Sequence, residues 1–197
     1  MTRWPLLAAL LPLLGGCGAV SESVFEQARS PSCEYNGQPA TPTVVLAAQA
    51  VPSATLLPCV QLLPAGWSVS DVFIHRGEAR FTLDSDRVGP RAVTVVLTRY
   101  CDLPPVTRVP TDEPGTRRFE QIGDVRPGVA FTGTRFYLFQ GGCVRYQFEF
   151  QGEDRAGPIG EANLALSFVT RDEVRSRVRE ETGGRAQLDP SPTTGSR

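Results

Sequence analysis

The sequence predicts an α+β fold: an antiparallel, sheet-rich single domain, made of a meander and a hairpin, with one or two C-terminal helices and two disulfides. Three observations support this prediction. Apolar and polar residues alternate over several segments, which is typical of strands with one buried face. A segment near the C-terminus has helical spacing and a helix start signal instead. Four cysteines in the predicted domain form an even set that allows two bridges.

The composition suits one domain with flexible ends. The chain has 197 residues, 41% of them hydrophobic, which is enough for a core. Its 20 basic residues, all arginines, are balanced by 21 acidic ones, so the net charge is -1. Because no global positive field attracts a polyanion, we predict no nucleic-acid partner.

The first residues have the pattern of an export signal. The basic start MTR is followed by the apolar run WPLLAALLPLL and the small-residue junction GGC, which predicts a signal peptide over residues 1–16. The apolar run is shorter than the roughly 20 residues of a membrane-spanning helix, and Pro5 and Pro12 interrupt it. We therefore expect export rather than a transmembrane anchor.

The junction Leu14-Gly15-Gly16-Cys17 resembles the lipobox of bacterial lipoproteins. The resemblance implies cleavage before Cys17, a diacylglycerol thioether on its sulfur, and a lipidated tether over 17–32. Two acyl chains would hold the protein stably at the outer face of the cytoplasmic membrane. The alternative is an ordinary secretory signal with an incidental cysteine. Both interpretations export the domain.

The four remaining cysteines are expected to form disulfides, because the predicted compartment is oxidising. Four cysteines allow three pairings, which sequence alone leaves open. We favour Cys33 with Cys59 and Cys101 with Cys143, since each pair joins neighbouring segments without crossing the other. A metal site or a redox pair is disfavoured, because the sequence has no C-x-x-C and the single histidine lies elsewhere.

Alternating segments define the meander and the hairpin. WSVSDVFIH and EARFTLD are predicted to pair over 67–84, and RAVTVVLTRYC adds a third strand over 91–101. In YLFQGGCVRYQFEF, two glycines would form a primed turn that places Gln140 opposite Cys143. This register places five residues, four of them aromatic, on one core face: Tyr137, Phe139, Val144, Tyr146 and Phe148.

Helical signals follow the hairpin. Thr170 and Glu173 predict a capping box, and the glycine at 183 predicts a stop, so we expect a helix over about 171–182. The preceding segment, 160–169, is compatible with a helix or a strand, and we favour a helix.

These elements place the domain at residues 33–182. The polar, proline-containing segment 183–197 is predicted to be a disordered tail. The loop 102–116 is rich in proline and acidic residues. Long loops carry function more often than short ones, although a stiff crossover between sheets also explains this one.

The sequence predicts no catalytic, cofactor-binding or metal-binding residue. His75 lies at a predicted turn, with no neighbouring nucleophile in sequence and no G-x-S-x-G motif. Asp84 and Asp86 begin a pattern like a calcium loop, but Val88 replaces an oxygen ligand and disfavours calcium.

Three residues are candidates for a ligand-binding surface: Trp67, Asp112 and Glu113. Trp67 could stack on a ligand, although a tryptophan at the start of a strand more often closes a core. Asp112 and Glu113 lie in the long loop.

The domain also resembles actinobacterial lipoproteins of unknown function. The likeness lies in an LPCV segment, a GW strand start, an LDSDR turn and a GGCV hairpin. The absence of lysine from the sequence and its content of Ala, Gly and Pro fit a GC-rich genome of that type. The resemblance implies no activity.

We therefore expect a non-catalytic envelope module that binds a protein or a cell-wall component through sheet edges or the 102–116 loop. The alternative is a small extracytoplasmic hydrolase that uses Asp84, Asp86, Asp112 and Glu113 on cell-wall or exported substrates. Solute binding for a transporter is disfavoured, because two-lobed receptors usually need a longer chain.

Overall fold

The computed structural model describes residues 30–35, 38–39, 41–123, 130–152 and 156–189. The predicted signal peptide, its lipobox cysteine and most of the predicted tether lie outside this part of the chain. Within it, no helix is long and apolar enough to cross a membrane.

Three antiparallel sheets and three helices make up the described structure. The elements are β1 Glu34–Tyr35, β2 Gln38–Pro39, α1 Pro42–Ala50, β3 Leu56–Val60, β4 Trp67–His75, β5 Glu78–Ser85, β6 Gly89–Thr98, β7 Thr107–Val109, β8 Arg117–Ile122, β9 Phe131–Phe139, β10 Gly142–Phe150, α2 Ala156–Ala165, β11 Leu166–Thr170 and α3 Arg171–Glu181. The largest sheet has the order β4-β5-β6-β10-β9-β8-β7, and β11-β3 and β1-β2 form two-stranded sheets. The predicted α+β, sheet-rich antiparallel fold with C-terminal helices is confirmed.

The predicted meander is confirmed as three neighbouring strands, β4, β5 and β6. Phe81 lies opposite Val95 and Leu83 lies opposite Val93, and all four side chains are at most 5% exposed. The alternation in the sequence arises because every second residue of these strands faces the same core.

The second hairpin is confirmed, but its predicted turn is displaced by one residue. The turn residues are Gln140 and Gly141, and Gly142 pairs with Phe139. The predicted pairing of Gln140 with Cys143 is therefore wrong. Of the two turn residues, only the second, Gly141, has a positive φ, 73°, so the predicted primed turn is wrong: type I′ needs a positive φ at both positions and type II′ needs it at the first.

Packing against a distant loop accounts for this turn. The Thr55 hydroxyl donates a hydrogen bond of 2.8 Å to the carbonyl oxygen of Gln140. A Cβ on Gly141 would overlap the carbonyl group of Ser53. The displacement changes the pairing by two residues, so every side chain keeps its predicted face.

The core lies between one face of the large sheet and a layer formed by α1, α3 and the β3–β11 pair. On the sheet side, the Tyr137 and Tyr146 rings lie 5.3 Å apart between centroids, as the predicted aromatic face requires. Phe168 of β11 packs on Tyr137 at 5.3 Å. Burial, followed by the nearby Tyr137, raises the pKa of Tyr146 well above its usual range, so its phenol stays neutral. We call the opposite side of the large sheet its outer face.

Both predicted disulfides are present, Cys33–Cys59 and Cys101–Cys143. The first ties the N-terminal segment to β3. The second ties the segment that crosses from β6 to β7 onto the outer face of β10. In the chain-entropy model, loops of this size give about 3–4 kcal/mol each. The two bridges indicate an oxidising, extracytoplasmic environment.

The segment 160–169 is divided between two elements. The favoured helix is correct as far as Ala165, but Leu166–Thr170 forms β11 and pairs with β3, a long-range contact that local sequence does not reveal. The α3 capping box is confirmed, and hydrogen bonds from Thr170 lower the pKa of Glu173.

The ordered chain extends beyond both predicted domain boundaries. At the N-terminal side, Ser32 forms a bridge with Val60 of β3. At the C-terminal side, Leu188 is 5% exposed and belongs to the core, because this one apolar side chain of a polar segment packs on the domain. Residues 183–189 of the predicted tail are thus part of the fold, and 190–197 lie outside the described residues.

Candidate functional site

A cleft of about 510 Å³ opens at the β7–β8 end of the large sheet. It is formed by the edge strand β7, the start of β8 and the loop between them. Seven residues line it: Arg108, Val109, Pro110, Thr111, Thr116, Arg117 and Arg118. The cleft therefore overlaps the long loop that the sequence singled out.

The loop that closes the cleft is held by its own hydrogen bonds. The Thr111 and Thr116 hydroxyl oxygens lie 3.2 Å apart. The Thr116 hydroxyl also donates to the Glu113 carbonyl oxygen at 2.8 Å, and the Glu113 amide donates to the Thr111 hydroxyl oxygen at 3.2 Å. Gly115 has a φ of 74°, which allows the tight turn between β7 and β8. Both threonines are fixed as walls of the cleft.

Strand register places the arginines on two faces. Arg108 lies opposite Phe119, and Val109 lies opposite Arg118. Because side chains alternate along a strand, Arg108 and Arg117 share the outer face, whereas Arg118 belongs to the core face. The cleft thus wraps around the end of the hairpin.

The outer-face arginines have no ion pair among the described residues, and both are exposed. Arg118 contacts Glu120 at 3.2 Å, but Glu120 also accepts a 2.6 Å hydrogen bond from Arg135 Nε. One carboxylate therefore serves two guanidinium groups. In addition, the buried Nε of Arg118 has no hydrogen-bond partner within the described structure.

Asp112 and Glu113 lie between the two lining threonines without lining the cleft themselves. Asp112 is exposed and Glu113 is half-buried. Burial, and secondly the charge of Asp112, raises the pKa of Glu113. The structure therefore places both predicted loop acids next to the arginine cleft.

Trp67 is only 6% exposed and belongs to the core. Its Nε1 donates a 2.7 Å hydrogen bond to Glu161, which also pairs with Arg87. The hydrogen bond from Arg87, followed by that from Trp67, lowers the pKa of Glu161. This placement matches the core interpretation of the tryptophan and leaves no exposed ring face for stacking.

The acids proposed for hydrolysis lie in distant parts of the large sheet. Asp84 is in β5, where it accepts hydrogen bonds from the Ser70 hydroxyl at 2.6 Å and the Arg91 amide at 2.8 Å. Five strand spacings separate β5 from β7, which is about 24 Å. Asp84 and Asp86 therefore do not form one site with Asp112 and Glu113.

His75 belongs to no group of possible metal ligands within the described part of the chain. His75 is exposed at the end of β4 and stacks on Phe73, with ring centroids 6.3 Å apart. Across the described ranges, no three His, Cys, Asp or Glu side chains are grouped to hold a metal ion.

Sequence reasoning missed the arginines of the cleft and the Glu120–Arg135 pair. With all 20 basic residues being arginine, none of them stands out by type. The alternation in RRFEQI is the one local signal, since it predicts a strand that places Arg118 and Glu120 on the same face.

No protein-family model matches the chain, and neither a curated protein nor a solved structure matches it.

Proposed function

We propose that the chain is an exported, lipid-anchored, non-catalytic binding module, and that it captures an envelope protein or a cell-wall component at the β7–β8 edge of its sheet. The observation that carries this proposal is the cleft itself, in which three arginines and two threonines meet at a free sheet edge. Binding residues often lie on loops held by a rigid scaffold, as Pro110, Thr111 and Thr116 do between β7 and β8.

The geometry favours binding over hydrolysis by the predicted acids. Guanidinium groups, held threonine hydroxyls and the apolar Val109 and Pro110 make a recognition surface. The separation of Asp84 and Asp86 from Asp112 and Glu113 removes the four-acid site on which the hydrolase depended.

The experiment is site-specific photo-cross-linking with the full-length chain in its own membranes. A photoreactive amino acid at position 111 probes the cleft, and one at position 179 on α3 is the matched control. We expect a discrete cross-linked product from position 111 that position 179 does not give. If the chain with the probe at position 111 forms no cross-linked product after illumination, the proposal is refuted.

The anchor has a separate test at Cys17. If its thiol carries the diacylglycerol, C17S should lose incorporation of a labelled fatty acid and leave the membrane fraction, because the thioether needs sulfur. C33S, which removes a disulfide cysteine instead, should keep the label. Equal labelling of C17S and the unaltered chain would contradict the lipid anchor.

A further inference from the structure

We infer that the arginine cleft is a site for a phosphate group carried by an envelope molecule. This inference rests on the proposed function, since it names the ligand chemistry of the same site.

The positive charge of the cleft is local. The whole chain has a net charge of -1, yet three of the seven lining residues are arginines. At physiological ionic strength, charges are screened over about 8 Å, so an ion in the cleft responds to its walls rather than to the distant surface. The cleft can therefore bind a single anionic group although the molecule does not attract polyanions at long range.

Two of the guanidinium groups lack any other counter-ion within the described residues. Arg108 lies opposite Phe119, and Arg117 is two residues before Phe119, so the two arginines are diagonal neighbours on the outer face. Diagonal positions in an antiparallel pair are about 7–8 Å apart, within reach of two long side chains. Two like charges at this spacing repel each other, and an anion held between them removes the repulsion.

The third guanidinium is only partly neutralised. Arg118 shares Glu120 with Arg135, and its buried Nε has no partner within the described structure. Its guanidinium thus adds positive charge to the same end of the hairpin, on the core face.

The number and type of donors favour phosphate over carboxylate. A carboxylate offers two oxygens in one plane, whereas a phosphate group offers three or more in a tetrahedron. Guanidinium groups bind phosphate through paired N–H donors, and the diagonal neighbours Arg108 and Arg117 present two such groups on the outer face. Two guanidinium groups that each pair with two oxygens need more acceptors than one carboxylate offers, which favours phosphate.

Two acidic residues next to the cleft allow a test of whether its ligand is negatively charged. Asp112 and Glu113 are the acids of the cleft loop, and both repel an anion. E113Q removes one negative charge beside the site, so it should bind phosphate at least about twofold more tightly.

The test is isothermal titration calorimetry of the full-length chain in neutral detergent. The ligands are inorganic phosphate, sulfate and acetate, each titrated at the same ionic strength. We expect saturable binding of phosphate and sulfate, and much weaker binding of acetate. R108Q/R117Q should weaken phosphate binding at least about tenfold, the loss expected when charge-assisted hydrogen bonds are removed. R76Q/R179Q removes the same charge from distant exposed positions and should bind as the unaltered chain does. Acetate binding as tight as phosphate binding, or unchanged binding by R108Q/R117Q, would overturn the inference.

Two further arms distinguish the sources of the phosphate. Vesicles of phosphatidylglycerol, compared with vesicles of phosphatidylcholine, report binding of a lipid headgroup. Soluble glycerol phosphate without vesicles reports a phosphate ester of the wall or the surrounding medium. Either result, if abolished by R108Q/R117Q, supports the shared chemistry. Failure of both arms would count against it.

The two proposals can fail separately. A cross-link from position 111 that survives R108Q/R117Q and excess phosphate keeps the capture function and removes the phosphate site. Saturable phosphate binding without any cross-linked product keeps the phosphate site and removes the capture function.

Discussion

Glu161 connects a buried tryptophan to the protein surface. It accepts from Trp67 Nε1 at 2.7 Å and pairs with Arg87, and these contacts lower the pKa of its carboxyl group. The charged carboxylate is thus favoured in the folded state. Its stabilising contribution is complete above the usual glutamate range and is lost as the pH falls through the lowered pKa.

The tryptophan reports this titration directly. The other tryptophan, Trp4, lies in the predicted signal peptide, so Trp67 would be the one tryptophan of a chain cleaved after residue 16, and the test uses the chain from residue 17. We expect its fluorescence to change at a pH below the usual glutamate range, and E161Q to lack this step. E180Q, on the exposed side of α3, should keep it. An identical acid transition in E161Q would show that Glu161 does not control the indole.

The single residues also show what sequence could reveal about the candidate site. The sequence identified Asp112 and Glu113 as candidates, because they lie in a long loop rich in acidic residues. It did not identify Arg108 or Arg117, because their significance comes from the pairing of β7 with β8. An exposed arginine becomes informative when a second one lies across the hairpin without an acid partner.

Among the secondary structure elements, the meander and α3 were predicted, whereas α1, β8 and the strand β11 were not. The meander and α3 carry alternation or capping signals in their own residues. The strand β11 follows a helix directly and owes its conformation to β3, which lies about a hundred residues earlier in the chain. The displaced β9–β10 turn has the same origin, since the Thr55 region contacts it.

This explanation of the turn predicts a large effect of G141A. Alanine would be strained at a φ of 73°, and its Cβ would also overlap the Ser53 carbonyl group. We expect a loss of about 2–3 kcal/mol in the free energy of unfolding, measured with urea. Gly77 provides the control, because its φ is 91° but its Cβ would meet nothing within 4 Å.

G77A should therefore lose only the conformational component, about 1 kcal/mol. Equal losses in G77A and G141A would mean that contact with the Ser53 loop does not determine the turn.

In the molecule as a whole, Arg171 joins three separate parts of the chain. It begins α3 and is 2% exposed. Its guanidinium donates to the Ala48 carbonyl oxygen near the end of α1 at 2.6 Å and to the Asp189 carbonyl oxygen at 2.8 Å. Burial lowers the pKa of Arg171. Two of its nitrogens donate hydrogen bonds to these carbonyl oxygens. This contact explains why the C-terminal segment is ordered past the predicted end of the domain.

Replacing this arginine should destabilise the fold. R171A leaves two carbonyl oxygens without their donor, and we expect a loss of about 2–3 kcal/mol in urea unfolding. R175A removes a partly exposed arginine that pairs with Asp172, and such surface pairs contribute about 0.5 kcal/mol or less. If both variants lost the same stability, Arg171 would have no special role in holding the C-terminal segment.

Among the described residues, the large sheet ends in two edge strands, β4 and β7, and we propose that binding occurs at β7. Hydrogen–deuterium exchange of the full-length chain, with and without an envelope membrane extract, distinguishes them most directly. We predict slower exchange over Thr107–Val109 and the following loop to residue 116, with no change over Trp67–His75. Protection over Trp67–His75, or none at the cleft, would contradict the account.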